Sequence, residues 1–450
     1  MSDQSRPGDE PDRAEEALLR FLAQFGITPG PDGRLDIDDL MSRMQGMMGA
    51  FTNQLAGYGA AEAESGMNWN FTKDIARKVT AAAGPDPTPS PSQLSAIRSA
   101  AGLADLWLDE QIGFAPISAP AVAWSRAEWV ENTFGTWQQL VRPVVTQLSV
   151  AIAGLVERPE ADDPTAGLMQ PMLRAAASGM FAAQVGQALG QLATAVVSSG
   201  DVGLPLTSRP LPALLPTNIA AFCDGLDVSA SDVLLFLALR ETARQRLFGA
   251  VGWLGPQLLA LVEHYARLIS IDPDALEQGI ESQLGSAMTP DEIEQAGQAI
   301  SGSIFVPAAS DEQREVLLRL ETLLALVEGW VDEVVDQATR DRMPAAVQLT
   351  EMLRRRRAAG GPAEAALKTL FGLDLRPRRT RDAANLWAAT RAARGPAARD
   401  AAWAHPDLVP TPAELDDPLS FAEHGHGTGT PDDLDAELAR LLDEESGRED

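Results

Sequence analysis

Residues 232–248 read DVLLFLALRETARQRLF. Ser231 and Asp232 ahead of the apolar run make a helix start, because such side chains accept from the free backbone N–H groups of a first turn. One helix is predicted over the stretch, ending at the break Gly249–Gly252. Within it Arg240 and Arg244 stand four residues apart and face the same way, with Glu241 between them.

The flanking sequence keeps the helical pattern. Downstream, a helix is predicted from about Pro256 through QLLALVEHYARLI. A longer one starts at Ser310, where Ser310 with Gln313 fits the capping box S-x-x-Q, and runs to about Thr339. Another spans about Ala345–Ala358 and stops before Gly360–Gly361. Upstream, residues 94–113 place Leu94, Ile97, Ala101, Ala104, Leu106 and Leu108 at spacings a helix can bury. AEWVENTFGTWQQLVRPVVTQ (127–147) continues the pattern, with Pro143 as a kink or boundary. In 169–199, Gly179, Gly186 and Gly190 nearly share one face. Gln184, Gln187 and Gln191 would be costly in lipid, so close helix–helix packing in a soluble core is expected there. FGLDLRP (371–377) is the best candidate for one short strand. The fold class is mainly α, with little or no sheet and flexible termini.

Composition narrows the function. The chain has 450 residues, 36 Lys+Arg against 64 Asp+Glu, and a formal net charge of −28. Such a charge argues against nucleic acid as partner, since phosphate binding rests on clustered Lys and Arg, and it repels anionic membrane surfaces. A single cysteine, Cys223, excludes an intramolecular disulfide framework and any Cys-cluster metal site. No secretory signal pattern and no apolar stretch of membrane length are present, so a cytoplasmic protein is expected. The chain is divided into a disordered N-terminus (1–15), an N-terminal helical segment (16–83), a Pro-rich linker GPDPTPSPSQ (84–93), a helical domain (94–420) and a disordered acidic tail (421–450).

Few residues carry recognisable chemistry. Glycine-rich dinucleotide or P-loop motifs are absent. Cys223 sits among apolar residues and reads as a buried thiol. A zinc peptidase helix reads HExxH, because histidines at i and i+4 bind the metal while the glutamate activates a bound water. Here the corresponding positions read Arg240-Glu241-Thr242-Ala243-Arg244, and arginine cannot deprotonate to bind a cation. His264, His405, His424 and His426 lie elsewhere; His264 is expected in a partly buried core position. Arg354–Arg357 and RPRR (376–379) belong to a run of nine basic residues within 354–381, read as a solvated face with intramolecular ion pairs. MSRMQGMMGAF (41–51) is read as core or disordered helix.

Several blocks place the sequence further. NWNFTKDIAR (68–77), LADLWLDE (103–110), AWSRAEWVENT (123–133) and GQALGQLATAVVSSGDVGLPL (186–206) come in that order. LALRETARQRLF (237–248), LLALVEGWVDEVV (323–335), GLDLRPRRTRDAANLW (372–387) and RDAAWAHPDLVPTPAELDDP (399–418) follow. With these blocks the chain resembles the actinobacterial zincin-like metallopeptidase family, commonly labelled zinc-dependent metalloprotease or hydrolase, from about residue 67 to 420. The resemblance implies a zincin-like helical domain and a zinc cofactor. By position it makes Glu241 the candidate general base and Glu328 the candidate third ligand. Asp332 lies one turn beyond Glu328, on nearly the same face.

With both histidine positions substituted, no metal ligand set remains, and the expectation is a family member without zinc. The guanidinium groups of Arg240 and Arg244 are then expected in the cation's place beside Glu328, Asp332 or Glu333, if helices 231–248 and 310–339 meet. Three functions are distinguished: a metallopeptidase-like hydrolase, a catalytically silent protein that binds a peptide or protein in the former cleft, and a helical scaffold.

Overall fold

Asn68 accepts from the Phe71 backbone N–H at 2.9 Å and opens α1 (Trp69–Ala82). The computed structural model describes residues 66–156, 166–271, 310–358, 360–373 and 378–425. The Met-rich stretch 41–51 and the tail from residue 426 lie outside them. Ser90 opens α2 (Pro91–Asp109) through a capping box closed by Gln93. Between these helices Asp86 accepts from the backbone N–H groups of Arg126 and Ala127, at 3.1 Å each, and so caps α3 (Arg126–Val156). Asp86, within the expected linker 84–93, is thereby tied to α3. That stretch lies inside one compact unit, Ser65–Asp450, held down by a carboxylate at a helix N-terminus.

Helix α3 continues through Pro143, which was expected to kink or end it. Proline has no N–H to give to the Gln139 carbonyl, but that side of α3 opens into a groove, where water can replace the missing donor. Helix α4 (Ala166–Ala195) crosses α1 at two glycines. A Cβ on Gly186 would lie 2.5 Å from the Thr72 carbonyl oxygen, and one on Gly190 2.5 Å from Val79 Cβ. The close packing expected of this stretch is thus found at Gly186 and Gly190, while Gly179 has no such neighbour. Among the described residues no helix is long and apolar enough to cross a membrane.

The described sheet is minimal. β1 (Val122–Ala123) pairs in parallel with β2 (Ala213–Leu214), Val122 opposite Ala213. The strand expected at 371–377 is not formed at its start. Phe371 ends α10 (Pro362–Phe371), and Gly372 takes φ +67° as a left-handed cap that only glycine adopts without strain. Residues 374–377 lie outside the described set. The β pair matters because it fixes the loop after α4. The Ser199 N–H donates to the Ala213 carbonyl at 2.9 Å, and the Leu215 N–H to the Val197 carbonyl at 3.0 Å.

After α5 (Pro216–Cys223) comes α6 (Ala230–Ala250), whose cap is Ser229, two residues before the expected Ser231. Every residue of α6 from Phe236 to Phe248 is buried. Helix α7 (Leu254–Arg267) follows. Ser310 opens α8 (Asp311–Thr339), accepting from the Gln313 N–H at 3.0 Å. Helices α2, α5, α8 and α9 (Ala346–Ala358) and strand β2 surround α6. Helix α11 (Arg378–Arg394) lies across α8 at Gly329, where a Cβ would come within 2.6 Å of Ala383 Cβ. Short helices α12 (Pro396–Ala401), α13 (Pro412–Asp416) and α14 (Pro418–His424) close the described chain. Trp253, Trp387, Trp403 and Phe421 form an aromatic cluster there. Phe421 and Ala422 are buried.

Candidate functional site

A helix buried on all sides leaves its charged side chains no water, so each needs a partner in the protein. Arg246 finds Asp105 and Asp109 on α2, and α6 and α8, which meet, supply further partners to one another. Arg240 donates through Nη1 to Asp332 Oδ1 at 2.6 Å and through Nη2 to Glu328 Oε2 at 3.0 Å. Arg244 donates through Nε and Nη2 to Glu328 Oε1, at 2.8 and 2.7 Å. Arg357, from α9, adds Nη2 to Glu328 Oε2 at 2.6 Å and lies 3.4 Å from Asp332 Oδ2. Glu328 therefore stands at the centre of three guanidinium groups, with both oxygens engaged.

Glu241 faces the other way along the same helix and is fully buried. Ser198 and Ser199 donate their hydroxyls to its two oxygens, each at 2.6 Å. The Gly200 N–H donates at 3.1 Å, Gln245 Nε2 at 2.8 Å and Arg244 Nη1 at 2.9 Å. A Cβ at position 200 would sit 2.8 Å from Arg244 Cδ and 3.0 Å from Glu241 Oε2, so glycine permits this approach. The loop pinned to β2 thus clamps Glu241, and Arg244 ties that clamp to Glu328. Counted together, three arginines (240, 244, 357) face three carboxylates (241, 328, 332), a formally neutral cluster.

The electrostatics follow from burial against pairing. Burial alone would raise the Glu328 pKa, but Arg244, Arg357 and Arg240 outweigh it and hold the carboxyl below its usual range. Asp332 is likewise lowered, burial being overcome by Arg240 and Arg357. Burial opposes charge on Arg244 too, yet Glu328 and Glu241 prevail and raise its pKa. Arg240 is lowered, chiefly by burial, with Asp332 opposing.

Two carboxylates with folded pKa values below their unfolded values stabilise the fold fully above about pH 4.5, and the contribution is lost as pH falls through the folded values. Melting temperature is expected to stay nearly level from pH 7 to about 5 and then to drop. In a Glu328→Gln variant the drop should be shallower. Equal acid slopes in thermal melts of the two proteins would show that Glu328 adds nothing.

The residues present do not fit a zinc ion. Arg240 and Arg244 are cations that cannot ligate a metal, and the oxygens of Glu241 and Glu328 already accept from charged and neutral donors. Among the described residues no group of three or more His, Cys, Asp or Glu side chains could hold a metal. The histidines do not gather at the cluster. His264 is half-exposed beside Glu312, at 3.1 Å, rather than in the core. His405 accepts from the Asp407 N–H at 3.2 Å, and His424 ends α14. Cys223 is partly buried, and that burial raises its thiol pKa.

Glu333, offered by the sequence as a further partner for the arginines, points elsewhere. It accepts from Arg391 and Arg399 at 2.5 Å each, and Arg399 also holds Asp400 at 2.8 Å. The basic run divides in the same way. Arg355 pairs with Glu351 at 2.9 Å, Arg356 donates to the Ala195 carbonyl, and Arg357 enters the cluster. Arg357, Ser198, Ser199, Gly200 and Gln245 were not singled out from the sequence as site residues. Only Gln245 carried a local signal, one helical turn after Glu241.

The described residues thus form a mainly helical chain in which α6 and α8 are joined by buried ion pairs. The sequence profile of the zincin-like metallopeptidase family matches residues 67–422, and the chain belongs to that family. Its fold is similar to a crystal structure from Chloroflexus aurantiacus described as a putative hydrolase with a novel fold. The TM-score is 0.53 at 21% identity, covering 79% of this chain and 97% of that one. No curated protein matches the sequence.

Proposed function

We propose that this chain is a metal-free member of the family, and that it binds a protein or peptide partner instead of hydrolysing one. The observation that carries this reading is the saturation of Glu328 by Arg240, Arg244 and Arg357. Arg240 and Arg244 together bring two positive charges, the charge of one zinc ion, and bring them on side chains that stay protonated. Glu328, the third-ligand position, keeps an electrostatic partner without a metal. Glu241 at the general-base position supports the same reading. To take a proton from water it would have to release donors such as the Ser198 hydroxyl or the Gly200 N–H, which would then be buried without an acceptor.

Metal content of the purified, untagged chain tests this. Inductively coupled plasma mass spectrometry is expected to find less than about a tenth of a zinc ion per chain, and chelation with EDTA is expected to leave the melting temperature unchanged. Near-stoichiometric zinc, with a lower melting temperature after chelation, would overturn the proposal.

A further inference from the structure

The arginines of the central cluster are consumed by carboxylates, so the former cleft offers no free cation to a ligand. Free cations are found elsewhere. Two cavities of about 770 and 690 Å³ adjoin between α3 and α7 and share Gly135, Gln139 and Glu263, forming one groove. Gly135 on α3 and Ala260 on α7 keep its floor open. From Asn132 to Gln147 the α3 wall is roughly 22 Å long, at about 1.5 Å per residue. That accommodates about six or seven residues of extended chain, at about 3.3 Å each.

The lining is suited to a peptide backbone. Gln139 and Gln147 give their amide N–H groups to Glu263, at 2.5 Å, and to the Arg267 carbonyl, at 2.9 Å. Their side-chain oxygens have no donor among the described residues, and Pro143 leaves the Gln139 main-chain carbonyl without its helical donor. These are acceptors for peptide N–H groups. Phe248 is the one aromatic ring in the lining, so there is no platform for stacking sugars or bases.

The charge of the groove selects further. Arg142 lines one cavity and Arg209 the other; both are exposed, and neither has an acidic partner among the described residues. The one carboxylate in the lining, Glu263, is already held by Gln139 and by Arg267 at 3.1 Å. Two guanidiniums without an acidic partner among the described residues thus flank the groove in a chain of net charge −28.

We propose that the α3–α7 groove binds an extended, acidic peptide segment of a partner protein, with Arg142 and Arg209 taking two of its carboxylates. This rests on the non-catalytic binding role proposed above and names the kind of partner. Successive side chains of an extended segment alternate in direction, so acids at every second position would face the arginine rim together.

The test uses the full chain and a fluorescein-labelled ten-residue peptide alternating Glu and Ala, followed by fluorescence anisotropy. Parallel titrations use Gln/Ala and Lys/Ala peptides. The Glu peptide is expected to bind best, and Arg142→Glu and Arg209→Glu are each expected to weaken it roughly tenfold. Arg381→Glu, at an exposed position of α11 outside the groove, is expected to leave binding unchanged, with melting curves confirming that all three variants fold. No binding of the Glu peptide, equal binding of the Gln peptide, or an equal loss in Arg381→Glu would overturn the proposal. So would a protein dimer that Arg142→Glu dissolves, because the groove would then be filled by a second copy. Mass spectrometry of the recovered peptide separates the two proposals. A cleaved peptide removes the non-catalytic reading while leaving the groove assignment standing. An intact, unbound peptide removes the groove assignment alone.

Discussion

Replacing Glu328 by alanine is expected to lower the melting temperature by about 4–6 °C. The variant leaves Arg240, Arg244 and Arg357 facing one another with only Asp332 and Glu241 to balance them. Removing one member of a buried ion pair costs about 3–5 kcal/mol, and a unit of this size shifts by roughly 1.2 °C per kcal/mol. The side chains of Arg240 and Arg244 are only 6% and 3% exposed, so water cannot take over from the lost carboxylate. The loss should be coupled. In a cycle pairing Arg240→Met with Asp332→Leu, the double variant is expected to lose less than the sum of the singles, because each single strands a charge that the double removes. Differential scanning calorimetry reads both results. A Glu328→Ala protein melting with its parent would mean that the cluster does not hold α6 to α8.

Glu241→Gln is expected to destabilise the chain by about 2–4 kcal/mol, with no substrate present, because donors that cannot rotate would face an amide donor. The Ser198 and Ser199 hydroxyls can turn, but the Gly200 N–H and Arg244 Nη1 cannot become acceptors. A poised catalytic base gives the opposite signature, since active-site groups are held at some expense of stability and their removal is often neutral or stabilising. Thermal melts of the two proteins therefore separate a structural carboxylate from a general base before any assay is run. A Glu241→Gln protein as stable as its parent would speak for the base.

Much of the fold could be read from the chain because helix starts and stops are local chemistry. Ser310 and the Gly249–Gly252 break act within a turn or two of their own position, whereas Ser90 falls in the expected linker and Gly372 in the expected strand. Asp86 was harder, since it caps a helix 40 residues downstream and nothing in a Pro-rich run announces that. The meeting of α6 with Glu328 and Asp332 is only a condition attached to the family resemblance, since nothing in the chain itself fixes it. Arg357 could not, because its role depends on where α9 returns, and in the sequence it is one arginine among four. The Ser198–Gly200 clamp was hidden for the same reason. Its partner Glu241 lies more than 40 residues away, and the pairing is set by a two-residue strand too short to leave an alternation.

The three-to-three balance of the cluster makes the arrangement hard to undo one mutation at a time. A change at Arg240 or Arg244 to a neutral side chain leaves the buried group one negative charge in excess, before any coordination site exists to accept a cation. The intermediate is less stable than either end point by the few kcal/mol that a stranded buried charge entails. Single neutral substitutions at Arg240 or Arg244 are thereby opposed by the cluster's own electrostatics, and a change tolerated at one of them is expected to come with the loss of a facing carboxylate.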